Sequence, residues 1–159
     1  MPGLLVLAGS ALGVAFVLAL GAGLPDVVAS HFDASGRPDG HLPRPVFVTL
    51  MATLVGGVPL LTWWMQLRGL GAARVALPSP DVMPAQAARA ATRRWLQQHA
   101  AVFSLVTTAF LAGLYGLVVQ ANHDPERTLA GSALWSALAA YMVFLGLWTL
   151  RLHRRFSRR

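Results

Sequence analysis

Four apolar stretches of bilayer length, none with an Asp, Glu, Lys or Arg in its interior, govern what this chain can fold into. They run from about Gly3 to Leu24, Val46 to Leu67, Ala100 to Ala121 and Leu129 to Leu150. About 20 consecutive apolar residues in a helix cross the hydrocarbon layer of a bilayer. A single charge at the centre of such a helix costs about 2.5 to 3.5 kcal/mol. The alternative, a soluble protein with a large core, conflicts with composition. Of the 159 residues, 55% are hydrophobic and 12% charged, whereas soluble domains carry about a quarter charged residues. A chain this short cannot hide so much apolar surface from water. The expected fold class is therefore an all-α integral membrane protein, one four-helix transmembrane domain over 1–159. Met1 to Ser10 has no basic residue and the first apolar stretch outruns a signal-peptide core, so the first span is expected to be retained. The chain has no cysteine, which excludes disulfides, thiolate metal sites and cysteine catalysis.

The placement of arginine sets the expected orientation. The thirteen basic residues are all arginine. Arg68, Arg74, Arg89, Arg93 and Arg94 lie in the loop 68–99, and Arg151, Arg154, Arg155, Arg158 and Arg159 in the tail 151–159. Only Arg37, Arg44 and Arg127 fall on the other side, so the bias is ten to three. Positive charge concentrates on the cytoplasmic side of membrane proteins, which puts the middle loop, the tail and both termini inside. Loop 25–45 is then extracytoplasmic, and Asp26, Asp33, Asp39, Asp124 and Glu126 share its side. The net charge of +7 is not a nucleic-acid signal, because its arginines flank apolar spans and form no basic face on a soluble element.

Finer expectations concern helix packing and the interfaces. Gly9 and Gly13 form a GxxxG pair, and Ala109/Gly113 and Ser136/Ala140 are small-xxx-small pairs, the spacing that lets helix backbones approach in lipid. Pro59 is expected to kink the second span near Gly56 and Gly57. Trp63, Trp64, Trp135 and Trp148 near span ends suit an interfacial belt. Pro78, Pro80 and Pro84 interrupt the middle loop, and from Pro84 a helix is expected to run into the third span. It would carry Arg89, Arg93 and Arg94 to lipid headgroups with Trp95 at the interface. The tail arginines Arg151, Arg154, Arg155, Arg158 and Arg159 are expected to bind anionic lipid as well, each contributing about 1 kcal/mol. Asp124, Pro125 and Glu126 read as the start of the fourth helix.

The loop Leu24 to Arg44, LPDVVASHFDASGRPDGHLPR, is richer than a connector needs to be. Asp33-Ala34-Ser35-Gly36 and Pro38-Asp39-Gly40 both suit turns, so the loop is expected to fold back compactly over the helix ends. Its LPD, HFD and GRPDG strings, directly after a first membrane helix, resemble the domain of unknown function 1648 (DUF1648) family. The matching positions are Pro25, Asp26, His31, Phe32, Gly36, Asp39 and Gly40. That family includes the membrane half of Sdp-type toxin immunity proteins, which protect bacteria from a secreted peptide toxin and capture a cytoplasmic repressor. The resemblance implies a multi-pass protein of the bacterial inner membrane whose first loop meets an extracytoplasmic peptide or small-molecule ligand. A cytoplasmic protein partner is implied inside, with oligomers open.

Chemistry in that loop has two readings. His31, Asp33, Asp39 and His41 are ligand types that suit a divalent metal. Alternatively, His31 and Phe32 pack on helix ends while Asp33 and Asp39 bond their own turns. The second is adopted, with neither metal nor cofactor expected. No acid lies within a span and no serine has a histidine close in sequence, so no catalytic residue is assigned. The leading expectation is a non-catalytic binding or sensing protein. Its rival is a small oligomeric transporter or efflux-like protein, hinted at by Thr53, Thr62, Thr107 and Thr108.

Overall fold

A computed structural model describes residues 2–72 and 85–157. Six elements follow one another: α1 (Pro2–Gly21), β1 (Val27–Phe32), β2 (Pro38–Pro43), α2 (Arg44–Ala72), α3 (Ala85–His123) and α4 (Gly131–Ser157). Each of the four helices contains a segment long and apolar enough to cross a membrane: Pro2–Gly21, Arg44–Arg68, Ala90–His123 and Gly131–Arg155. The protein is thus a multi-pass membrane protein. Arg74, Pro78, Pro80, Pro84, Arg158 and Arg159 lie outside the described residues, as does the side chain of Arg89.

The helices α1, α2 and α3 pack on one another as a three-helix bundle. Its core holds Val17, Leu24, Val28, Phe47, Val55, Tyr115 and Val119. The α1 glycines make the close approach possible. A Cβ on Gly13 would stand 2.8 Å from Thr108 Cγ2 of α3 and 2.8 Å from Val55 Cγ1 of α2, and one on Gly9 would collide with Leu105. Those glycines are used as their spacing predicts. The other small-residue pairs are not. Gly113 has nothing within 4 Å of its Cβ position, and Ser136 and Ala140 are exposed. Small residues bring helices together only where they happen to face one another, and these face outward.

Tyr115 sits fully buried at the centre of the bundle. Its hydroxyl donates to Val17 O at 2.9 Å, and its ring stacks on Phe47 at 5.8 Å. The α2 helix continues through Pro59. α3 runs from Ala85 through the third span without a break, as the alanine-rich segment predicts; its 39 residues are about 58 Å long at ~1.5 Å per residue. That is nearly twice the hydrocarbon thickness, so its first turns project beyond the apolar layer.

Among the described elements, α4 packs only against α3. The seam is made of rings: Phe110 on Tyr141 at 4.1 Å, Phe103 on Trp148 at 4.9 Å, and His99 between Trp95 and Trp148. Tyr141 also meets the Thr107 hydroxyl at 2.9 Å.

Two local expectations are corrected. The first loop contains a β-hairpin, so the molecule is helical with one two-stranded sheet. The fourth helix begins at Gly131, not at Asp124. Asp124 Oδ1 accepts the Glu126 N–H at 2.9 Å and closes a turn instead of capping a helix. Arg127 then adopts φ 50°, a left-handed conformation that ends the local run, and Leu129 N donates to Gly36 O at 2.9 Å. That bond ties the α3–α4 connection to the hairpin tip.

Candidate functional site

The hairpin is built from a turn whose chemistry is local. One carboxylate oxygen of Asp33 accepts the Ser35 N–H at 2.8 Å, the Ser35 hydroxyl at 2.7 Å and the Arg37 N–H at 2.9 Å. Gly36 takes φ 83° and donates to Asp33 O at 3.0 Å, a conformation that costs glycine little. The Ser35 hydroxyl foremost, then the Arg37 and Ser35 amides, hold the Asp33 carboxyl below the usual aspartate range. Beyond the turn, β1 and β2 run antiparallel, pairing Val28 with Leu42 and Ala29 with His41. The register shifts around His31, so the ladder is bulged there. Pro38 and Pro43 occupy the two ends of β2, where a missing N–H is tolerated.

The base of the hairpin is locked to the helices by polar groups. Arg44 N–H donates to Asp26 O at 2.8 Å, and its guanidinium reaches both Leu24 O at 2.9 Å and Asp26 Oδ1 at 3.0 Å. Asn122, near the end of α3, acts as a substitute strand. Its Oδ1 accepts the Ala29 N–H at 2.8 Å, and its Nδ2 donates to Ala29 O at 2.9 Å. Val28 and Ala29 are fully buried as a result. Across the same junction, the ring nitrogens of His123 lie 2.8 Å from Val119 O and 3.2 Å from Gly23 O.

With one side so docked, the other presents a short polar surface. His31 and Asp39 pair directly, with side chains 75% and 47% exposed. A Cβ on Gly40 would stand 2.9 Å from His31 Cβ, so glycine there lets the histidine lie across β2. His41 is exposed beside them, and Phe32 is half-buried.

The loop candidates therefore divide. His31, Asp39 and Gly40 come together, with Phe32 at the same end of the hairpin. Gly36 and Asp33 serve the turn, and Asp26 serves the base; Pro25, half-buried, precedes it. The metal cluster considered for His31, Asp33, Asp39 and His41 does not assemble. Among the described residues no three His, Asp or Glu side chains converge, because Asp33 is turned into its own loop. Asn122 and Arg44 were missed as site-building residues. The available signal for Asn122 was an amide at the very end of an apolar span, where a buried polar group needs a partner.

At the opposite end of the bundle, Arg93 and Arg94 are exposed on α3 and Arg151, Arg154 and Arg155 on α4. Arg155 lies 4.8 Å from the Trp95 ring centroid, and Arg68 4.1 Å from that of Trp64.

Residues 8–56 match the family model of a domain of unknown function (DUF1648). The match takes in most of α1, the hairpin and the first half of α2, so α3 and α4 lie outside it. No curated protein and no solved structure matches the chain.

Proposed function

We propose that the protein is a non-catalytic binding or sensing protein of a bacterial inner membrane, with the DUF1648 hairpin as its recognition surface. The observation that supports this reading most is the division of the hairpin into a docked side and a displayed side. Ala29 and Asn122 hold it to α3, while the His31–Asp39 pair stays exposed. A connector loop has no need of a buried amide clamp, an Arg44–Asp26 lock and a three-bond turn. Such bracing holds the displayed groups in fixed positions, which reduces the ordering cost of binding.

The arginine distribution supports an outward hairpin and an inward arginine-bearing end. The ligand would be an extracytoplasmic peptide or small molecule; immunity to a secreted peptide is the most specific form of this reading. Arg89, Arg93 and Arg94, with the tail arginines, would meet anionic headgroups or a cytoplasmic protein partner. The transporter alternative draws on the exposure of α4, which leaves room for a second copy. It loses support from the threonines: Thr53, Thr62, Thr107 and Thr108 each bond a carbonyl three or four residues back in their own helix.

The test is complementation of a deletion strain with wild type, His31→Ala or Asp39→Asn, scoring survival and signalling at matched membrane levels. Normal accumulation with lost protection or signalling supports recognition by the hairpin. Normal accumulation with wild-type behaviour makes the hairpin a structural cap and removes the proposal.

A further inference from the structure

A cleft opens between α3 and α4 at the arginine-bearing end, far from the hairpin. One lobe, about 410 Å³, is lined by Trp95, Gln98, His99 and Val102 of α3 and by Phe144, Leu147, Trp148 and Arg151 of α4. A second lobe, about 430 Å³, shares Trp95 and Arg151 and adds Arg154 and Arg155. The wall of the first lobe is a stack of rings. The His99 ring is stacked between Trp95 at 4.6 Å and Trp148 at 4.5 Å. The Trp148 indole N–H is held by His99 O at 3.2 Å, and Arg155 closes over Trp95.

Charge and apolar surface are arranged in sequence along this cleft. Among the described residues the ion pairs are His31–Asp39 and Asp26–Arg44, both at the hairpin end. No described carboxylate neutralises Arg151, Arg154 or Arg155. Beyond them the cleft runs on to Val102 and Leu147, which are 50% and 62% exposed and belong to the membrane-spanning segments. A soluble anion would match the arginines alone. An amphiphile with a phosphate at one end and hydrocarbon at the other matches the whole surface, because arginine binds phosphate through a charged planar fork and the apolar trough continues toward the lipid tails.

We propose that this cleft is a discrete site for one anionic phospholipid, its phosphate against Arg151 and Arg155 and one acyl chain along Val102, Phe144 and Leu147. This rests on the protein being in a membrane and not on what the hairpin binds. Bound there, the lipid would staple α4 to α3, the single neighbour that α4 has among the described elements.

The experiment is native mass spectrometry of the purified full chain in detergent, titrated with phosphatidylglycerol, with phosphatidylcholine of the same acyl chains, and with inorganic phosphate. Wild type is compared with Arg151→Gln/Arg155→Gln and with the charge-matched Arg93→Gln/Arg94→Gln, whose arginines do not line the cleft. Equal helicity and monodispersity of all three exclude a folding defect. The expected result is one saturable phosphatidylglycerol, weakened roughly tenfold or more by the cleft double variant and about twofold or less by the other. Equal losses in the two variants would mean diffuse charge attraction and overturn the site. Equal binding of phosphatidylcholine, or displacement of the lipid by inorganic phosphate at matched concentration, would overturn the anionic-lipid assignment.

Discussion

The three-helix bundle with its hairpin and the peripheral α4 are held by different kinds of force. In the bundle, backbones come close because Gly9 and Gly13 leave room, and three polar side chains bond carbonyls or amides distant in sequence. Tyr115 reaches Val17 O, Asn122 reaches Ala29, and Arg44 reaches Leu24 O. At α4 the joint is ring on ring with two hydrogen bonds, Thr107 to Tyr141 and Trp148 to His99 O, and no residue in its spanning window is buried. Lipid supplies no hydrophobic drive between helices, so close packing and hydrogen bonds are what bind. The bundle has both, and α4 has mainly the stacking of its aromatic seam. A stable hairpin end and an adjustable far helix are the expected consequence.

The sharpest way to break that contrast is to fill the glycine gap. Gly13→Leu should destabilise the folded protein by about 3 kcal/mol through overpacking, seen as a lower melting temperature in detergent. Gly113→Leu, where the Cβ position is open, should change it little. Equal effects would show that the bundle does not depend on close approach at α1. The next largest effect is expected from Asn122→Ala, which strips both backbone groups of Ala29 of their partner. A loss of about 2 kcal/mol is expected, with faster amide exchange at Ala29 and little change in α4.

Trp148→Ala should act the other way round. Loss of its contacts with His99 and Phe103 should weaken α4 attachment by about 1 kcal/mol. Exchange in α4 should speed up while Val28 and Ala29 stay protected. If the hairpin loosened too, the two regions would be one cooperative unit. The smallest effect belongs to the turn. The folded Asp33 carboxyl titrates below its ordinary range, so its contribution is complete at neutral pH and is lost only as pH falls through the folded value. Protection of the Ser35 and Arg37 amides should be flat from about pH 5 to 8 and decline in stronger acid. Asp33→Ala should abolish that acid-linked decline.

Much of this molecule was legible from its residues one segment at a time. The four spans follow from hydropathy, which sums the transfer of each side chain and needs no knowledge of neighbours. The turn at Asp33 to Gly36 is equally local, since carboxylate and amides are within four residues. The DUF1648 resemblance was carried by the same short segment. The run of α3 out of the third span followed from its alanine-rich helix formers. The hairpin strands were not foreseen, because PDGHLP is a poor strand by composition and takes that form only beside VVASHF. Asp124 reads locally as a helix cap, but its carboxylate closes a turn to Glu126, and the connection then docks on the hairpin through Leu129 and Gly36.

What only the tertiary structure decided was which small residues face a partner, which polar groups are consumed in bracing, and which helix is left at the edge. Asn122 and Ala29 are 93 positions apart, and no local pattern connects an amide at one span's end to a strand after another. The sequence determined which segments leave water, because that is a property of each segment alone. The folded arrangement decided where the remaining polar groups find partners, because a hydrogen bond depends on the position of two groups at once.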